Sequence, residues 1–146
     1  MKRLLITLSL LLALFMAGAA LAQSALGITV YKTPYCGCCH LWVEHLKANG
    51  FAVTPKDVND TAPIRQKLNM PAALGSCHTA VINGYVIEGH VPAADIKRLL
   101  KEKPKAVGLS VPGMPLGSPG MEAGSPQPYN TLLVMKDGST KVWARH

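Results

Sequence analysis

Three thiols and an imidazole fall within positions 36–40, in the run Tyr35-Cys36-Gly37-Cys38-Cys39-His40, and the fourth cysteine, Cys77, is followed directly by His78. A thiolate does two kinds of chemistry: it attacks disulfides, and it binds soft metal ions. Both are favoured where unpaired backbone N–H groups or a positive charge depress the thiol pKa. The run stands between a β-like stretch, Ile28 to Lys32, and a helix-like one, Leu41 to Ala48, with Thr33-Pro34 as the turn. Proline fixes its own φ and disfavours helix in the residue before it. The cysteines are therefore expected at or near a helix N-terminus, where the helix dipole stabilises negative charge.

As metal ligands, thiolates and thioethers select Cu(I), with Zn(II) the competitor for a four-thiolate site. Adjacent Cys38 and Cys39 project in different directions. Thiols packed this tightly suit bridging thiolates shared between several copper ions better than one mononuclear site. Two separated Cys-x-x-Cys knuckles, the usual zinc arrangement, are absent. As redox groups, Cys36 is placed to attack and Cys39 to resolve, although Cys38 and Cys77 could trap such a pair in the wrong bridge. Four cysteines in an exported chain ordinarily suggest two disulfides. Here the spacing allows one short bridge plus one to Cys77, and so small a loop would stabilise weakly.

Around the thiols, His40 and His78 are candidates to ligate or tune the site, and His90, after a glycine and before the last core helix, is a further one. His45 reads as a core histidine and His146 as a solvated terminus. Pro-Gly-Met occurs at 112–114 and again at 119–121. Met114 and Met121 are thus candidate thioether ligands, which an oxidising compartment leaves unbridged; loop packing is the other reading. No carboxylate pair, Ser-His-Asp set or phosphate-cradling glycine loop is visible.

Residues 1–22 are read as a cleaved secretory signal: basic Lys2-Arg3, an apolar run from Leu4 to Phe15, and Ala20-Leu21-Ala22 before Gln23. Cleavage would leave one domain, 23–146, exported and free of the membrane. Of 15 basic residues 13 would remain against 8 acidic, a net +5. The cations are scattered and lack interleaved aromatics, which argues against a nucleic-acid partner.

The elements that must position the thiols read as follows. Strands are expected at 27–32 and 51–58, with Pro55 placing the second at an edge or marking a strand end. A short helix is expected at 64–69, a loop at 70–77, and a hairpin, 78–82 and 85–88, about Asn83-Gly84. A helix at 92–103 ends at Pro104. The order β-α-β-α-β-β-α is that of an α/β, thioredoxin-like fold with Cys-x-x-Cys at the first strand-to-helix junction. In such folds the loop before the third strand faces that junction, so Cys77 is expected to converge on the other thiols. Eleven of the 25 residues from 104 to 128 are Gly or Pro, so no regular element is expected there. A closing hairpin is expected over 129–146.

Tyr35-Cys36-Gly37-Cys38-Cys39, Ser76-Cys77-His78-Thr79-Ala80, the block from Gly84 to Pro92, and Val111 to Pro115 through Gly120-Met121-Glu122 together resemble the CopG-type copper-resistance proteins, a group long known only as a domain of unknown function. The resemblance spans nearly all of the chain after the leader. It implies a periplasmic, thioredoxin-like protein of bacterial copper and silver tolerance. It further implies a multinuclear copper centre with redox activity toward the metal, served by copper carriers or efflux components. Carried over, Cys36, Cys38, Cys39 and Cys77 would be the thiolate ligands, with Met114, Met121 and His78 secondary. Thiol–disulfide exchange by Cys36 and Cys39, and a structural zinc site, remain the alternatives.

Overall fold

The computed structural model describes residues 26–146; the expected leader at 1–22 lies outside the described residues. These form seven strands, three α-helices and one 3-10 turn.

Strand β1 (Leu26–Lys32) alternates, with Ile28, Val30 and Lys32 turned inward. It pairs in parallel with β2 (Phe51–Asp57) and antiparallel with β3 (His78–Ile82). β3 turns through Asn83-Gly84 into β4 (Tyr85–Gly89). Both turn residues have positive φ, 47° and 82°, as a two-residue type I′ hairpin requires. β2 is one of the two edge strands, with Pro55 opposite Val30, consistent with the sequence.

Three helices complete the described fold. Helix α1 (Gly37–Ala48) buries Cys39, Trp42, Val43 and Leu46. Helix α2 (Ala62–Lys67) is short, with proline in its first turn. Helix α3 (Ala93–Glu102) buries Ala93, Asp95, Ile96 and Leu99. Trp42, Leu46, Ile96 and Leu99 join Val30 and Ile87 of the sheet in one core.

Two expectations are corrected. Within 104–128, residues Gly108–Val111 form a fully buried strand, β5, parallel to β4. Glycine and proline break structure around it, yet Leu109, Ser110 and Val111 are a short run that gains a buried ladder on both sides, enough to override local composition. β5 then pairs with β6 (Asn130–Val134), which pairs with β7 (Thr140–Arg145). The closing hairpin thus continues one sheet, in the order β2-β1-β3-β4-β5-β6-β7.

His146 is not simply solvated. Its ring stacks on Tyr129 at 4.7 Å and its Nε2 lies 2.9 Å from Asp95 Oδ2, which also accepts from Thr131 Oγ1 at 2.6 Å. The terminus is tied to α3 by a buried carboxylate. No helix among the described residues is long and apolar enough to cross a membrane.

Candidate metal centre

Helix α1 begins at Gly37, four residues before the predicted start, so Cys38 and Cys39 lie in its first turn and Cys36 is its N-cap. The Cys36 Sγ accepts the Cys39 N–H at 3.3 Å, the bond a serine or aspartate side chain makes at this position. Cys36 and Cys39 are joined in a disulfide, while Cys38 and Cys77 are free thiols. Cys38 Sγ lies 3.4 Å from Cys36 Sγ and 3.8 Å from Cys77 Sγ. All four sulfurs fall within 4.8 Å of one another. Cys39 is fully buried; the other three are half-buried.

Cys77 reaches this cluster because the loop before β3 is held by a buried ion pair. Glu88, on β4 and wholly buried, accepts from Arg65 Nε at 2.8 Å, from Ser76 N at 2.7 Å and from Thr79 Oγ1 at 2.6 Å. Arg65, on α2, donates in turn to the Ser76 carbonyl at 2.8 Å and to Thr61 Oγ1 at 3.2 Å. Both backbone polar groups of Ser76 are thereby fixed, and its hydroxyl donates to the Gly113 carbonyl. Burial pushes the Glu88 carboxyl above its usual range, against the pull of Thr79, the Ser76 N–H and Arg65. Sequence reading counts Arg65 among the scattered cations and assigns Glu88 no role. The available signal is a charge set between Ile87 and Gly89 in a strand.

Two imidazoles flank Cys77. His78 Nδ1 lies 3.4 Å from its Sγ and His90 Nε2 lies 3.1 Å away. Both rings are fully buried, and His78 packs on Trp42 with centroids 4.3 Å apart. Burial pushes the His78 imidazolium down to about 3, helped by the nearby His90, and burial lowers His90 as well. Burial thus favours the neutral form of both rings. His90 thus contributes more to the geometry than the sequence suggests. His40 is exposed and lies outside both groups of side chains that could hold a metal ion, the four cysteines and the set Cys77, His78 and His90. His45 is the satisfied histidine expected of it, its Nε2 accepting the Ala93 N–H at 3.1 Å at the start of α3.

The loop after β5 closes over the thiols. Pro119 O accepts from His90 Nδ1 at 2.8 Å. Gly120, at φ +86°, lies so close to the helix start that a Cβ would come within 2.7 Å of Cys38 O and 2.9 Å of Trp42 N. Only glycine fits that approach in that conformation. Met121, half-buried, follows it directly. Met114 is 52 % exposed and follows Gly113, the residue that accepts the Ser76 hydroxyl. Each Pro-Gly-Met repeat thus borders the centre through its backbone.

Burial, and next the neighbouring Cys38, push the Cys77 thiol up to about 12. In the metal-free, bridged protein its alkylation should be slow at pH 8. The rate should still climb about tenfold per pH unit between pH 9 and 10, where an ordinary thiol has levelled off. Iodoacetamide labelling with peptide mapping checks this; a plateau below pH 9 would contradict it.

Residues 74–121 match a family model described as "Protein of unknown function, DUF411". Two solved structures of the copper resistance protein CopG, forms 1 and 2, superimpose with a TM-score of 0.80 each at 45% sequence identity. Each match covers 84% of this chain, and 98% and 99% of the respective CopG chains. No curated protein sequence matches significantly.

Proposed function

The chain belongs to the family of the copper resistance protein CopG, and from that premise we propose that it binds several Cu(I) ions through Cys36, Cys38, Cys39 and Cys77. The convergence of four sulfurs within 4.8 Å carries this reading. A thiolate can bridge two soft ions, so four thiolates this close can hold more than one. In the bridged state only Cys38 and Cys77 are free, so full loading requires the disulfide to be reduced. The same donors suit Ag(I).

The frame is thioredoxin-like on this reading: parallel β1 and β2, then antiparallel β3 and β4, in the order β2-β1-β3-β4. The signal-like residues 1–22 support export to the periplasm, where copper carriers or efflux components would exchange the metal. Met114, Met121 and His78 are secondary ligands. The Cys36–Cys39 pair also gives the centre redox capacity. Two Cu(II) ions would each take one electron, the dithiol would close to the disulfide, and two protons would leave.

The test is an anaerobic titration of the fully reduced protein with Cu(I) against a chromophoric chelator. More than one tightly held ion per chain is expected. One ion or none would sink the cluster, and zinc retained from a copper-free preparation would favour a zinc site. Loss of absorbance from added Cu(II) no faster than in buffer would remove the redox part.

Thiol–disulfide exchange on protein substrates is the second reading. The Cys36–Cys39 bridge at a helix N-terminus, beside the fully exposed Tyr35, favours it.

A further inference from the structure

His78 and His90 each have their far ring nitrogen against a backbone carbonyl. His78 Nε2 is 2.9 Å from Gly89 O, and His90 Nδ1 is 2.8 Å from Pro119 O. A carbonyl only accepts, so those nitrogens carry the hydrogens. In a neutral imidazole the other nitrogen is then a bare lone pair. Those are His78 Nδ1 and His90 Nε2, the two atoms that face Cys77 Sγ at 3.4 and 3.1 Å. Histidines that bind metal are oriented in this way, by an acceptor on the opposite nitrogen.

These side chains by themselves leave a mismatch. Cys77 has one S–H proton, and two buried lone pairs converge on it. A cation at their focus satisfies both nitrogens and the sulfur together. With zinc's bond lengths as a guide, about 2.3 Å to sulfur and about 2.0–2.1 Å to nitrogen, tetrahedral to trigonal angles put S and N about 3.5–3.8 Å apart. From 3.4 Å the His78 separation needs to open by about 0.1–0.4 Å, and from 3.1 Å the His90 separation by about 0.4–0.7 Å.

We infer that Cys77, His78 and His90 form a separate subsite for one Cu(I) ion, and that this subsite persists when Cys36 and Cys39 are bridged. Neither cysteine of the bridge is one of the three ligands. Cys38, 3.8 Å from Cys77 Sγ, is the other thiol the bridge leaves free. The subsite presupposes the copper reading above, and it gives the protein a low-capacity state rather than an empty one. The bridged protein holds one ion in a mixed nitrogen–sulfur environment, and the reduced protein holds more.

The experiment uses protein with two titratable thiols, oxidised at Cys36 and Cys39, beside a Cys36→Ser/Cys39→Ser variant that cannot bridge. Both are titrated anaerobically with Cu(I) against a chromophoric chelator, and the loaded samples are examined by X-ray absorption at the copper edge. One ion per chain with nitrogen and sulfur neighbours is expected. Its affinity should fall by at least about 10-fold in His90→Gln and about 100-fold in Cys77→Ser, in line with the loss of oriented ligands. No ion in the bridged protein, or an ion with sulfur neighbours alone and indifferent to His90→Gln, overturns the subsite. Fully reduced protein titrated in the same series keeps the two readings apart. Several ions there with none in the bridged form removes the subsite alone, while one ion in both forms removes the cluster alone. Circular dichroism of each variant excludes unfolding as the cause, and Zn(II) as a second titrant shows whether the subsite prefers copper.

Discussion

Glu88→Ala is expected to destabilise the fold by about 3–5 kcal/mol, because it leaves the Arg65 guanidinium buried without its counter-charge. For a domain of this size the melting temperature should drop by on the order of 10–20 °C. Glu88 also accepts the Ser76 N–H and the Thr79 hydroxyl, so the same change removes partners from two further donors. The local consequence follows from where those donors lie. Ser76 precedes Cys77, and its N–H and C=O are held by Glu88 and Arg65 respectively. Without them the loop loses its anchor, and the Cys77 thiol should become readily alkylated at pH 8. Replacing both partners, as Arg65→Met with Glu88→Leu, should recover most of the stability, since the uncompensated charge is gone. It should not recover the protection of Cys77, because the Ser76 N–H and C=O then both lack their partners and only its hydroxyl remains held, by the Gly113 carbonyl. Urea unfolding together with labelling of Cys77 reads both effects. An unchanged midpoint in Glu88→Ala would refute the first, and equal protection of Cys77 in the paired replacement would refute the second.

This clamp marks the boundary of what the sequence discloses. The strands and helices around the thiols follow from local rules: β-branched alternation in β1, Asn-Gly between β3 and β4, Pro55 at an edge, glycine and proline after the helices. The approach of Cys77 to the other thiols follows from element order, because a loop that enters β3 must pass the N-terminus of α1. What stays hidden depends on partners far apart in the chain. Arg65 meets Glu88 across 23 positions, and His90 meets the Pro119 carbonyl across 29. Neither contact leaves a periodic trace. β5 is hidden for a different reason. Its four residues lie in a segment dominated by Gly and Pro, and only the ladders of β4 and β6 on either side make it a strand. His146 is the same case at smaller scale, a terminal residue whose partner, Asp95, lies on α3.

Cys38→Ser is expected to weaken Cu(I) binding by the reduced protein on the order of 100-fold or more, and to lower the number of ions held. Cys38 is the sulfur between Cys36 and Cys77, 3.4 Å from the first and 3.8 Å from the second. A bridging thiolate at that position links ions that the remaining three sulfurs would otherwise bind separately. The same substitution separates the two functions that this set of thiols could serve. Exchange with protein disulfides uses Cys36 as nucleophile and Cys39 to resolve, and Cys38 only offers a competing partner 3.4 Å from Cys36. Removing it should leave exchange unchanged or faster, as judged by reduction of insulin. A cluster makes no such distinction among its cysteines: serine at 36, 38, 39 or 77 should lower copper loading in each case. Copper loading that survives Cys38→Ser and Cys77→Ser, with exchange lost only in Cys36→Ser and Cys39→Ser, would assign the pair to disulfide chemistry. The reverse pattern would make the disulfide one state of a copper site, because the two thiols that exchange can do without are then the two that metal binding needs.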